Sequence, residues 1–92
     1  MIVRISGEGQ FEVSEDHVQE LNRLDDDLTR AVDAGDDALF RGALDAMLTS
    51  VRTAGKELPA DWIGPSDLVL PSPDATIHEV REVLGDEGLI PG

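Results

Sequence analysis

The stretch Leu28-Thr-Arg-Ala-Val-Asp-Ala-Gly-Asp-Asp-Ala-Leu-Phe40 decides the architecture. Upstream of it, Val18, Leu21, Leu24, Leu28, Ala31 and Val32 recur at helical spacing. Gly35 suits the left-handed residue that ends a helix, and Asp36 can cap a second helix at once. Downstream, Leu39, Phe40, Ala43, Leu44, Met47, Leu48 and Val51 form another apolar stripe, and Gly55 closes it. Two helices of similar length with almost no connector must run antiparallel. This αα-hairpin forms the bulk of the chain.

Working outward toward the N-terminus, Ser14 is placed to cap the first helix, with Glu15 and Asp16 favouring its dipole. Before it, Met1-Ile-Val-Arg-Ile-Ser and Gln10-Phe-Glu-Val flank a Gly7-Glu8-Gly9 loop and read as a β-hairpin. A three-residue loop there pairs Ser6 with Gln10, Ile5 with Phe11, Arg4 with Glu12 and Val3 with Val13. Apolar pairs then share one face and an opposite-charge pair the other. Toward the C-terminus, residues 56–65 read as irregular, broken by Pro59, Gly64 and Pro65. Ser66–Leu70 reads as a short strand beside the hairpin in a three-stranded sheet, with Leu68, Val69 and Leu70 covered on both faces. Pro71 and Pro73 limit its length. Thr76 and Glu79 make a capping box for a short helix with Ile77, Val80, Val83 and Leu84 on its apolar face, ended by Gly85. The fold class expected is α+β: N-terminal β-hairpin, antiparallel αα-hairpin, short third strand and short C-terminal helix, in one domain over residues 1–92.

Composition narrows the function. The 92 residues carry a formal charge of −13 and no cysteine. Phosphate recognition needs lysine and arginine, so nucleic acid is excluded as a direct partner. Unaided docking on an anionic membrane is disfavoured, and no apolar run reaches the ~20 residues of a membrane span. A basic protein partner suits the charge, and so does plain solubility. Without cysteine there is neither a disulfide framework nor thiol chemistry. The N-terminus is too short in its apolar run for a signal peptide, so a cytoplasmic protein is expected.

No pattern in the chain carries catalysis. Asp25, Asp26 and Asp27 are consecutive on a helix, so their side chains point about 100° apart and cannot converge on one ion. Asp26 with Arg30, and Asp27 with Arg23, stand four apart and can pair on the surface. His17 and His78 begin different helices, and no zinc spacing accompanies them. The serines include no G-x-S-x-G elbow. Gly7-Glu8-Gly9 joins two strands, so it is a hairpin turn rather than a phosphate loop. No cofactor, metal ligand or catalytic residue is assigned. Trp62 either plugs one end of the helical hairpin or stands exposed as an anchor for a partner.

Met1-Ile-Val-Arg-Ile-x-Gly-Glu-Gly-Gln-Phe, Leu21-Asn-x-Leu-Asp, Pro65-Ser-Asp-Leu-Val-Leu-Pro, Asp74-Ala-Thr and Gly85-Asp-Glu-Gly-Leu-Ile-Pro-Gly occur in that order along the chain. This ordered set is similar to the small PspA-associated proteins, the PspAA family. The resemblance implies a non-catalytic accessory or regulatory protein of the envelope-stress (phage shock) response. Its implied partner is phage shock protein A, a coiled-coil, membrane-associated protein, through which it could be recruited to the inner membrane face. Charge and resemblance together point to the outer side of the two long helices, with Asp25, Asp26, Asp33, Asp37 and Asp45, as the contact surface. Trp62 or the Leu89–Ile90 tail would supply an apolar anchor. A structural homo-oligomer and a small ligand-binding protein remain as alternatives.

Overall fold

The structure is a computed structural model; it describes residues 1–62 and 64–84, and side chains as far as Glu82. The expected apolar contacts of Val83 and Leu84, the stop at Gly85 and the Leu89–Ile90 anchor lie outside the described residues.

The elements run β1 (Ile2–Ile5), β2 (Gly9–Glu12), α1 (Val18–Ala34), α2 (Asp37–Ala54), β3 (Lys56–Glu57), β4 (Leu68–Leu70) and α3 (Ile77–Leu84). The mixed α+β fold, the terminal hairpin and the paired long helices are as the sequence implies. The α1–α2 junction follows its chemistry closely. Gly35 adopts φ 67°, and its N–H donates to the Val32 carbonyl while that of Asp36 donates to Ala31. This two-bond C-terminal motif requires a left-handed residue. The Asp36 carboxylate then accepts the Leu39 N–H at 3.1 Å, so one helix is closed and the next opened within two residues.

The hairpin differs from expectation in register. Val3 faces Phe11, Arg4 faces Gln10, and Ile5 faces Gly9. The loop is Ser6–Glu8, closed by the Glu8 N–H donating to the Ile5 carbonyl at 2.9 Å. A turn closed there places Gly7 at the position that needs positive φ, and Gly7 has φ 83°. The shift is two residues. Side chains alternate with period two, so every residue keeps its expected face. Val3, Ile5, Phe11 and Val13 all enter the core.

Among the described residues the sheet has four strands, not three, in the order β3-β2-β1-β4. Lys56 and Glu57, expected in an irregular segment, pair with Glu12 and Phe11. The end of α2 delivers them alongside β2, with Lys56 in register with Glu12. β4 pairs in parallel with β1. Leu68 and Leu70 are buried, but Val69 is 50% exposed. β4 is therefore covered on one face only, as alternation dictates.

The segment from β3 to β4 must pass from one sheet edge to the other. It crosses the face away from the helices. The Leu58 N–H donates to the Gln10 carbonyl, and the Gln10 side-chain amide donates to Ser66 Oγ at 2.8 Å and to the Gly64 carbonyl. Gln10 is only 8% exposed as a result. The other face of the sheet packs on α1 and α2 through Leu21, Leu28, Phe40, Leu44, Met47 and Val51. Leu39 does not join them and is 60% exposed.

α1 is preceded by a 3₁₀ turn, Glu15–His17. Ser14 has an extended backbone, and its carbonyl rather than its hydroxyl meets the His17 N–H. The expected side-chain cap is thus replaced by a backbone turn. At α3 half of the expected capping box forms: Thr76 Oγ1 accepts from the Glu79 N–H, while the Glu79 carboxylate accepts from the Thr76 hydroxyl rather than from its backbone N–H. Two arginines hold this last region to the helices. Arg41 donates to the carbonyls of Pro73 and Ala75 at 2.7 and 2.6 Å, and Arg81 donates to the Val32 carbonyl at 2.8 Å. The latter places a cation at the negative end of α1.

Candidate partner-binding surface

The side of α1 and α2 turned from the sheet carries most of the acidic residues singled out by the sequence. Asp26 and Asp33 are exposed there on α1 and Asp45 midway along α2, whereas Asp37, also exposed, opens α2 on the side of its buried stripe, three residues before Phe40. Asp25 is different: it is 4% exposed. It stands four residues after Leu21 and three before Leu28, which places it on the buried stripe. The expectation that it belongs to the outer surface is corrected by its burial, and its spacing already carried that signal.

Charges along α1 form an alternating ladder. Arg23 donates to Glu20 at 2.6 Å and lies 3.6 Å from Asp27, and Arg30 meets Asp27 at 2.8 Å. The expected Arg23–Asp27 pair is present. Arg30 reaches the Asp27 carboxylate, and with Asp26 it shares only a bond to the backbone carbonyl. The Arg23 hydrogen bond holds the Glu20 carboxyl below the usual carboxylate value, and Glu20 raises Arg23 in turn. Arg52 of α2 grips Glu8 of the hairpin loop through two hydrogen bonds, which raise the Arg52 value. The arginines of the helical layer are therefore already engaged, and the excess charge it presents to solvent is negative.

Trp62 is half-buried, and its ring folds over Gly64, where any side chain would collide with it. It rides on the crossing segment, on the opposite face of the sheet from the helices. The structure does not bring Trp62 and the acidic helix surface together. It also does not make Trp62 a plug for the helical hairpin.

Chemistry is sparse. His17 Nε2 lies 2.5 Å from Ser50 Oγ. Ser50 sits inside α2, where the neighbouring backbone N–H groups are committed to the helix and cannot stabilise an oxyanion. This contact ties the 3₁₀ turn to α2. His78 pairs with Glu82 at 3.3 Å on the exposed side of α3. Among the described residues no group of three or more His, Cys, Asp or Glu side chains is placed to hold a metal ion. A hollow of about 270 Å³ between β4 and α3 is walled by Leu70, Pro71, Ala75 and Val80. Its carboxylate, Glu79, is occupied by the Thr76 cap. No described helix is long and apolar enough to cross a membrane.

A feature that the sequence reading passed over is a groove between α1 and α2 on their solvent side. Leu24, Ala31 and Ala34 line it from α1, and Ala38, Leu39, Gly42 and Ala46 from α2, around a volume of about 620 Å³. The spacing of Ala38, Gly42 and Ala46, one small residue every four positions, is its sequence signature.

A family model described as PspA-Associated protein, PspAA, matches residues 1–92, the whole chain. The chain belongs to the PspAA family. No curated protein and no solved structure matches this PspAA chain. The family description names an association with PspA.

Proposed function

We propose that this PspAA protein is a non-catalytic accessory protein that binds phage shock protein A within the envelope-stress response. The observation that carries the reading is the whole-chain match to a family described by its association with PspA. The charge of −13 supports it, as does the exposure of Asp26, Asp33, Asp37 and Asp45 on one helical layer. A coiled-coil partner that touches anionic membrane would present long helices with basic stretches. The acidic layer competes with lipid for them, from the cytoplasm or at the inner membrane face once recruited. Regulation by occupancy is the mechanism: a partner helix held by this protein is withheld from the membrane.

Charge-driven encounter is screened over ~8 Å at physiological salt, so electrostatics should govern the association rate more than the affinity. The test is binding kinetics with purified phage shock protein A across a salt series, for wild type and for Asp26→Asn with Asp45→Asn. The association rate should fall steeply with salt, and the double variant should be slower at low salt. Absence of a complex at low salt would refute the reading. A rate indifferent to salt and to both substitutions would keep the partner and reject this surface.

A further inference from the structure

Opposite its buried stripe, α2 presents Ala38, Gly42, Ala46, Thr49 and Thr53. A helix face turned to water normally carries charged or long polar side chains. This one carries none, in a chain of charge −13. Gly42 sharpens the anomaly. Glycine weakens a helix interior relative to alanine, and a Cβ at Gly42 would meet nothing within 4 Å. Nothing in the described packing calls for a glycine there. Beside it, Leu39 is 60% exposed at the mouth of the groove. A second hollow of about 530 Å³, sharing Leu24 and Ala46 with the first, carries the groove on past Asp45 and Ser50. The helices that wall it have 17 and 18 residues, so the groove offers about 25 Å, the length of a helix of four to five turns. Small residues on one wall allow an incoming helix to approach closely.

Charge selects the occupant. Arg23 and Arg30 on the α1 wall are neutralised by Glu20 and Asp27. Arg41 and Arg52 of α2 are turned away, to the Pro73 and Ala75 carbonyls and to Glu8. An incoming cation therefore meets Asp45 at the wall, and Asp26 and Asp33 add to the negative field from farther round α1. A second copy would bring another −13 and be repelled.

We propose that the α1–α2 groove is the docking site for one basic amphipathic helix. Its apolar stripe lies over Gly42 beside Leu39, and its lysines and arginines face the acidic flanks. This deepens the reading above and rests on it for the identity of the natural partner, but the groove can be tested apart from it.

Two probes serve: purified phage shock protein A, and a designed helical peptide of about 18 residues, matched to the groove, with leucine and alanine on one face and lysine on the other. Gly42→Ala should raise the melting temperature of the free protein, since alanine is the better helix former. Gly42→Gln and Ala46→Gln should keep the far-ultraviolet circular dichroism spectrum and weaken both probes about tenfold or more. If both probes bind the Gln variants as they bind wild type, the groove is overturned and the partner stands. If the peptide binds through the groove while phage shock protein A binds nowhere, the groove stands and the functional reading falls. If neither probe binds wild type, both fall. A wild-type dimer that Gly42→Gln dissolves would assign the groove to a second copy and overturn the basic occupant. Should a Gln variant unfold, amide chemical shifts of wild type decide. Peptide-induced changes at Ala38, Gly42 and Ala46 uphold the groove, and changes confined to other elements reject it.

Discussion

Gln10 is a buried polar side chain whose amide makes two bonds, to Ser66 Oγ and to the Gly64 carbonyl. Those bonds fasten the crossing segment onto the sheet. Removing the amide strips partners from groups in a confined site, at a cost of about 1–2 kcal/mol. Gln10→Ala should lower stability by that amount in urea denaturation, and limited proteolysis should cut residues 58–66 faster. Gly35 is a second position where one residue carries a local structure. An alanine there would hold φ 67° at a cost of about 1–2 kcal/mol, measurable by the same denaturation. Gly35 was legible from its place between two apolar stripes. Gln10 was not, because its partners lie more than 50 residues away, and no short-range pattern announces such a bond.

Elements follow their periodicity, and their junctions follow chemistry that periodicity does not contain. Both long helices and the core face of the hairpin were readable because burial repeats with a fixed period. The hairpin register was not: two three-residue loops, starting at Ser6 or at Gly7, leave the same residues inward, and only the turn bond to Ile5 separates them. The two-residue β3 was invisible because so short a strand has no period. Ile5 is fully buried in the observed register. Ile5→Asp would bury an uncompensated charge and should cost at least about 4 kcal/mol, unfolding a small domain by circular dichroism at room temperature. On α1, the lowered Glu20 value links the ladder to pH. A carboxyl whose folded value is depressed contributes stability above its unfolded value of ~4.3, and loses it as pH falls through the lower folded value. Glu20→Gln should therefore be slightly less stable than wild type at neutral pH. Thermal melts should converge once the pH drops below the folded value.

At the scale of the whole molecule, charge sets behaviour. A net −13 on 92 residues makes the compact state repel itself, and added salt screens that repulsion. The melting temperature should rise between about 10 mM and 0.5 M sodium chloride, over the range in which the Debye length shrinks from ~30 Å toward ~3 Å. A fall would mean that the arginine pairs outweigh the repulsion. The charge was plain in the sequence, but its distribution was not. Asp25 reads as one of three equivalent acids until the helical spacing is followed. The arginines read as spread along the chain until Arg41 and Arg81 are seen gripping backbone carbonyls. The groove stayed hidden because small residues attract no notice in a linear reading.

The parallel pairing of β1 with β4 has a consequence for how the chain is made. The Ile2 N–H donates to Asp67, 65 residues later. On the ribosome, the hairpin and both long helices emerge before that strand does. During this interval β1 offers a free edge with its hydrogen-bonding groups unpaired, the kind of surface on which nascent chains stick to one another. Synthesis at ~5–20 residues per second keeps that interval to seconds. Under strain the same strand matters again: departure of β4 would take Leu68 and Leu70 out of the core and uncover β1.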